Sequence, residues 1–111
     1  MLQHANDKAE DVTSLDDWRN EDTDRLCEAL LSLETLDEAA QFLRDLCTRR
    51  ELNEMAHRWA VARLLDRGLP YREIADQVGA STATVTRINE WLHHGMGGYR
   101  LVLDRLGAGP P

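Results

Sequence analysis

The sequence predicts an all-α, multi-helix fold, and three observations predict it. Apolar residues recur at spacings of three and four from Leu26 to Leu92, the period of a helix with one buried face. Twice a threonine stands three residues ahead of a glutamate at the head of such a run (Thr35 with Glu38, Thr48 with Glu51), the pattern of a helix-capping box. No segment alternates apolar and polar side chains as a half-buried strand would. With 111 residues, 42% of them hydrophobic, the expectation is one domain with a modest core and two tails.

Taken in order, residues 1–22 are acidic and polar around a lone Trp18, too poor in apolar groups for a core of their own, and read as a flexible N-terminal arm. A first helix is expected over about Thr23 to Glu34, on Leu26, Leu30 and Leu33. Thr35 caps a second, carrying Ala39, Phe42, Leu43 and Leu46 and ending near Cys47. Thr48 caps a third, long helix through Leu52, Met55, Trp59, Ala62 and Leu65, which Gly68 stops. Shorter helices follow over Tyr71 to Val78, Ser81 to His94 and about Tyr99 to Leu106, separated by Gly79 and by Gly95 to Gly98. The domain is thus placed at residues 23–106, with a frayed tail at 107–111.

Net charge is −7, which is unfavourable for binding a polyanion, but the charge is unevenly spread. Residues 1–43 hold three basic and twelve acidic side chains, whereas residues 44–111 hold ten basic side chains, all arginine, against eight acids. Arginine suits bidentate contact to phosphate and guanine, and equally suits ion pairs within the chain.

Other chemistries find little support. No run of about 18 apolar residues could cross a membrane and the first ten residues lack a signal-peptide pattern, so the cytoplasm is the expected location. Cys27 and Cys47 lie outside any metal-ligand spacing and are expected as reduced, buried thiols. His93 and His94 have no ligand partner at helical spacing, so no metal site is expected. The acids of the arm have no apolar pocket to raise a pKa, and the glycines at 95–98 follow no strand. Neither an enzyme nor a cofactor is expected.

The segment that carries function runs from Pro70 to Leu92, "PYREIADQVGASTATVTRINEWL". It reads as two short helices joined by a glycine turn, the form of a helix-turn-helix. Ala75 is small where the helices would cross, Gly79 can take positive φ, and Ile74, Val78, Ala80, Val85 and Ile88 supply the apolar lock. Ser81 is a natural N-cap. Left outward are Ser81, Thr82, Ala83, Thr84, Thr86, Arg87 and Asn89, small or hydrogen-bonding groups suited to a major groove. Arg72 is placed toward the DNA backbone. An ordinary solvated hairpin would more often carry Glu and Lys there than three threonines and a serine.

The stretches "REIADQVGASTATVTR", "ARLLDRG" and "CTRRELNEMAHRW" resemble the Trp repressor superfamily, in particular its YerC/YecD-like bacterial members, over roughly Leu26 to Leu106. The resemblance implies an intertwined homodimer of all-helical subunits whose two helix-turn-helix segments enter successive major grooves, a geometry for which Trp repressor is a standard example. It also implies an effector pocket between Arg58 and Arg87, with Thr48 near a third contact. Ile88 stands where that family has a glycine floor and Trp91 where it has a serine, so the tryptophan site is expected to be filled. Binding would then be ligand-independent or answer to an unknown small-molecule effector. Arg58 and Arg87 are equally suited to pairing carboxylates or capping helix ends. A DNA-contacting lysine of the family is matched by Ala75 or Asp76, which implies a different operator.

The function expected is a sequence-specific regulator of transcription, a repressor, with double-stranded DNA and a second copy of the chain as partners. A protein-interaction or assembly module on the same dimeric fold is the alternative. A further reading has the acidic arm lying over the arginines as a DNA mimic.

Overall fold

The structure, a computed structural model, describes residues 18–107. The expected arm therefore lies almost wholly outside the described residues, as does most of the expected tail. Among the described residues there are six helices and no strand: α1 Glu21–Leu31, α2 Leu36–Leu46, α3 Arg49–Asp66, α4 Tyr71–Val78, α5 Thr82–His94 and α6 Gly98–Gly107. The all-α expectation holds, and no described helix is long and apolar enough to cross a membrane.

Local hydrogen bonding explains each boundary. α1 begins two residues before the expected Thr23, because Asn20 is the cap: its Oδ1 accepts from the Thr23 amide at 2.8 Å, and the Thr23 hydroxyl accepts from the Asn20 amide at 2.8 Å. Glu21, Asp22 and Asp24 then sit in the first turn, where the helix dipole favours anions. α1 also stops early, at Leu31, because Glu34 and Thr35 serve the next helix. The Thr35 hydroxyl accepts from the Glu38 amide, while the Glu38 carboxylate accepts from the amide of Glu34. At α3 the box closes as the sequence predicts, Thr48 Oγ1 accepting from Glu51 N and Glu51 Oε1 from Thr48 N.

Among the described residues the chain packs as two compact units that divide inside α3, between Leu52 and Asn53. In the first unit, α1 and α2 bury no residue, and Leu26, Leu30, Leu31, Leu36 and Leu46 are exposed. Cys27, expected to be buried, is exposed, and Cys47 is half-buried; both are free thiols.

The second unit holds the core. Val61 and Ala62 of α3, Ile74 and Ala75 of α4 and Val85 and Ile88 of α5 form one buried cluster, ringed by Trp59, Leu64, Leu65, Leu69, Val78 and Tyr99. Leu92 and Leu103 are buried as well. Burying a large aliphatic side chain stabilises by roughly 1.5–3 kcal/mol, so these few residues carry most of the stability of the unit. The rings of Trp59 and Tyr99 stack with centroids 6.3 Å apart and planes 12° from parallel. Burial raises the Tyr99 pKa above its ordinary value, against the opposing pull of Arg58.

Candidate nucleic-acid interface and adjoining groove

Pro70, with φ −64°, is the N-cap of α4. The ring presets that φ and leaves no amide to satisfy. After Val78 the chain turns on Gly79 at φ 79° and ψ 38°, a left-handed conformation that costs a residue with a side chain roughly 1–2 kcal/mol. The amides of Gly79 and Ala80 both donate to Ala75 O, at 2.9 and 3.0 Å. The Ser81 hydroxyl then accepts from the Thr84 amide at 3.1 Å and starts α5. Ile74 and Val85, both fully buried, and Ala75, at 7% exposure, hold α4 against α5. This is the helix-turn-helix the sequence predicts.

Its candidate DNA-binding residues divide between two sides. Arg72, Ser81, Thr82, Ala83, Thr86 and Arg87 are exposed. The Thr86 hydroxyl donates to Thr82 O at 3.0 Å, so it is partly engaged within its own helix. Thr84, expected outward, is half-buried, lies 3.1 Å hydroxyl-to-hydroxyl from Ser81 and lines a groove instead. The reason is helical: Thr84, Arg87, Ile88 and Trp91 follow at i, i+3, i+4 and i+7 and so share one face of α5.

That groove, of about 1160 Å³, is walled by α3, α5 and α6. Arg58, Arg87, Ile88 and Trp91, four of the five expected effector-pocket residues, line it together. Thr48 is not among its lining residues; its hydroxyl is used in capping α3. Ile88 and Trp91 both contribute to the wall of this groove. Ile88 is sunk in the core at 3% exposure, and Trp91 stands at the wall, 37% exposed. Arg58, Arg72 and Arg87 have no carboxylate within ion-pair distance among the described residues. Among the described residues, neither Arg58 nor Arg87 makes the carboxylate pairing that the sequence left open. The groove also takes in Glu54 and Tyr99, which the sequence reading missed. Glu54 lies one helical turn before Arg58, a signal available in the sequence, whereas Tyr99 arrives through the packing of α6.

The fold and site have relatives. The Trp repressor protein family matches residues 21–107. The uncharacterised protein YerC of Bacillus subtilis (strain 168) is 40% identical over 92 residues, 83% of this chain and 88% of its own length. Among solved structures, a TrpR-like protein from Eubacterium eligens ATCC 27750 superposes with a TM-score of 0.76 at 40% identity, over 84% of this chain and 96% of that one. A candidate Trp repressor from Staphylococcus aureus gives a TM-score of 0.79 at 35% identity, over 88% and 98%. The chain belongs to the Trp repressor family and is a YerC-like member of that superfamily.

Proposed function

We propose that this protein is a sequence-specific, double-stranded DNA-binding regulator of transcription that acts as a homodimer in the cytoplasm and represses by occupying its operator. The observation that carries the reading is the exposed face at the start of α5. There Ser81, Thr82, Ala83 and Thr86 stand free of the core beside a tight, glycine-based turn, with Arg72 exposed on α4 and unpaired with any carboxylate among the described residues. Small side chains let a helix approach base edges closely, and an uncommitted guanidinium is available for phosphate. The exposed leucines of α1 and α2 support self-association, since an exposed apolar face of this kind marks an interface. Arg58 and Arg87 at the groove support binding of a small anionic effector there, with Ile88 and Trp91 setting a shape different from a glycine-floored pocket.

The test is selection of bound duplexes from a random pool by the purified full-length protein, followed by titration of the best site at several salt concentrations. Enrichment of a palindromic site supports the regulator. Absence of salt-sensitive duplex binding would turn the reading toward the protein-interaction module, for which the same exposed leucines would be the working surface.

A further inference from the structure

We propose that Arg100 is a positioning residue for the helix-turn-helix, closing with one guanidinium the two junctions through which α4 and α5 join the rest of their unit. This rests on the DNA-binding reading above and adds a residue outside the expected interface.

The helix-turn-helix is reached through residues 67–70 and left through residues 95–97. Asp66, the last residue of α3, stands immediately before the first junction, and Arg100, in the first turn of α6, immediately after the second. Arg100 Nη2 donates to Asp66 Oδ1 at 2.9 Å across 34 positions of sequence, and its Nε donates to Asp104 Oδ1 at 2.9 Å. Among the described residues this is the one side-chain hydrogen bond joining two different helices. The other side-chain bonds between described residues span five positions or fewer.

Both junctions are otherwise made of backbone that turns on glycine, Gly68 at φ 83° and Gly97 at φ 88°. The Asp104 bond fixes the rotamer of Arg100 from its own helix, so little side-chain freedom remains to be lost when Asp66 is engaged. The bridge therefore ties the end of α3 to the start of α6 across the two junctions, a constraint added to the shared core that packs α4 and α5 against α3. Reading bases demands placement to within about half an ångström, whereas phosphate attraction tolerates misplacement. Losing the bridge should accordingly cost specificity before it costs affinity for DNA at large.

The experiment compares full-length wild type, Arg100→Gln, Asp66→Asn and the double variant on the selected duplex and on a scrambled one, with thermal unfolding alongside. Because the pair is partly exposed, with side chains 46% and 35% accessible, each single variant should lose about two- to fivefold in affinity for the selected site. The double variant should be no worse than Arg100→Gln alone. Affinity for scrambled DNA and the salt dependence should stay at wild-type values. Equal losses on both duplexes, or losses that track a fall in thermal midpoint, would reduce Arg100 to a structural role and overturn the proposal. So would single variants that bind the selected site like wild type. A wild-type protein that binds no duplex even at low salt would sink the DNA reading itself, a result separable from all of these.

Discussion

Arg72→Ala tests the DNA interface most directly. Arg72 lies in the first turn of α4, exposed, and no carboxylate among the described residues neutralises it. Its removal should change folding stability by no more than about 0.5 kcal/mol, as for other surface substitutions that break no internal contact. At DNA the effect should be electrostatic. Each phosphate neutralised contributes about −0.9 to the slope of log affinity against log salt. The segment from Tyr71 to His94 holds two arginines, Arg72 and Arg87, against Glu73, Asp76 and Glu90, so the wild-type slope should already be shallow. Loss of Arg72 should reduce it by about 0.9 per bound segment, and the wild-type advantage should shrink about 3.5-fold per segment between 50 and 200 mM salt. Fluorescence anisotropy titrations on selected and scrambled duplexes at four salt concentrations measure this, and the loss should be similar on both sequences. Thr82→Ala is the counterpart, weakening the selected site alone and leaving the slope untouched. An unchanged slope in Arg72→Ala would refute the placement of that guanidinium at phosphate.

Three further outcomes follow from the packing. Gly79→Ala meets no atom within 4 Å, so its cost is that of the left-handed backbone alone, about 1–2 kcal/mol; Gly79→Asn should cost less, and equal stability of wild type and Gly79→Ala in urea titrations would show that the turn relaxes. Ile74→Ala removes a fully buried side chain and should destabilise by about 2–5 kcal/mol, read as a lowered urea midpoint with unchanged slope. Because burial raises the Tyr99 pKa, the unfolded chain gives up that proton first. The stabilisation is therefore complete below about pH 10 and is lost as pH rises from there through the folded-state pKa. Tyr99→Phe, which retains the ring over Trp59, should flatten stability in that alkaline range, and identical pH profiles would remove Tyr99 as the cause.

Helix number and order were legible in the sequence because they rest on short-range physics. The caps Thr35, Thr48 and Ser81 and the stops Gly68 and Gly79 act within four residues of themselves, and the apolar period of α4 and α5 names its own buried face. Asn20 escaped notice as a cap because threonine stood where a capping box more often has glutamate. Periodicity also placed Arg58, Arg87, Ile88 and Trp91 on helices, and resemblance grouped them. How each stands at the groove came only from the packing, which sinks Ile88 into the core and sets Trp91 at the wall.

What the sequence determined by itself is therefore the local grammar of the chain: six helices and their order, most of their caps, the turn at Gly79, and the small polar face at the start of α5. Tertiary structure decided the rest. It turned Thr84 toward the groove, left Arg58, Arg72 and Arg87 without carboxylate partners among the described residues, exposed Cys27, divided the chain within α3, and brought Arg100 to Asp66 across 34 positions. The physical reason is one of range. Caps and periods are satisfied by neighbours a few residues away, whereas burial, groove walls and the pairing of distant charges depend on how whole helices pack, and no local pattern encodes that.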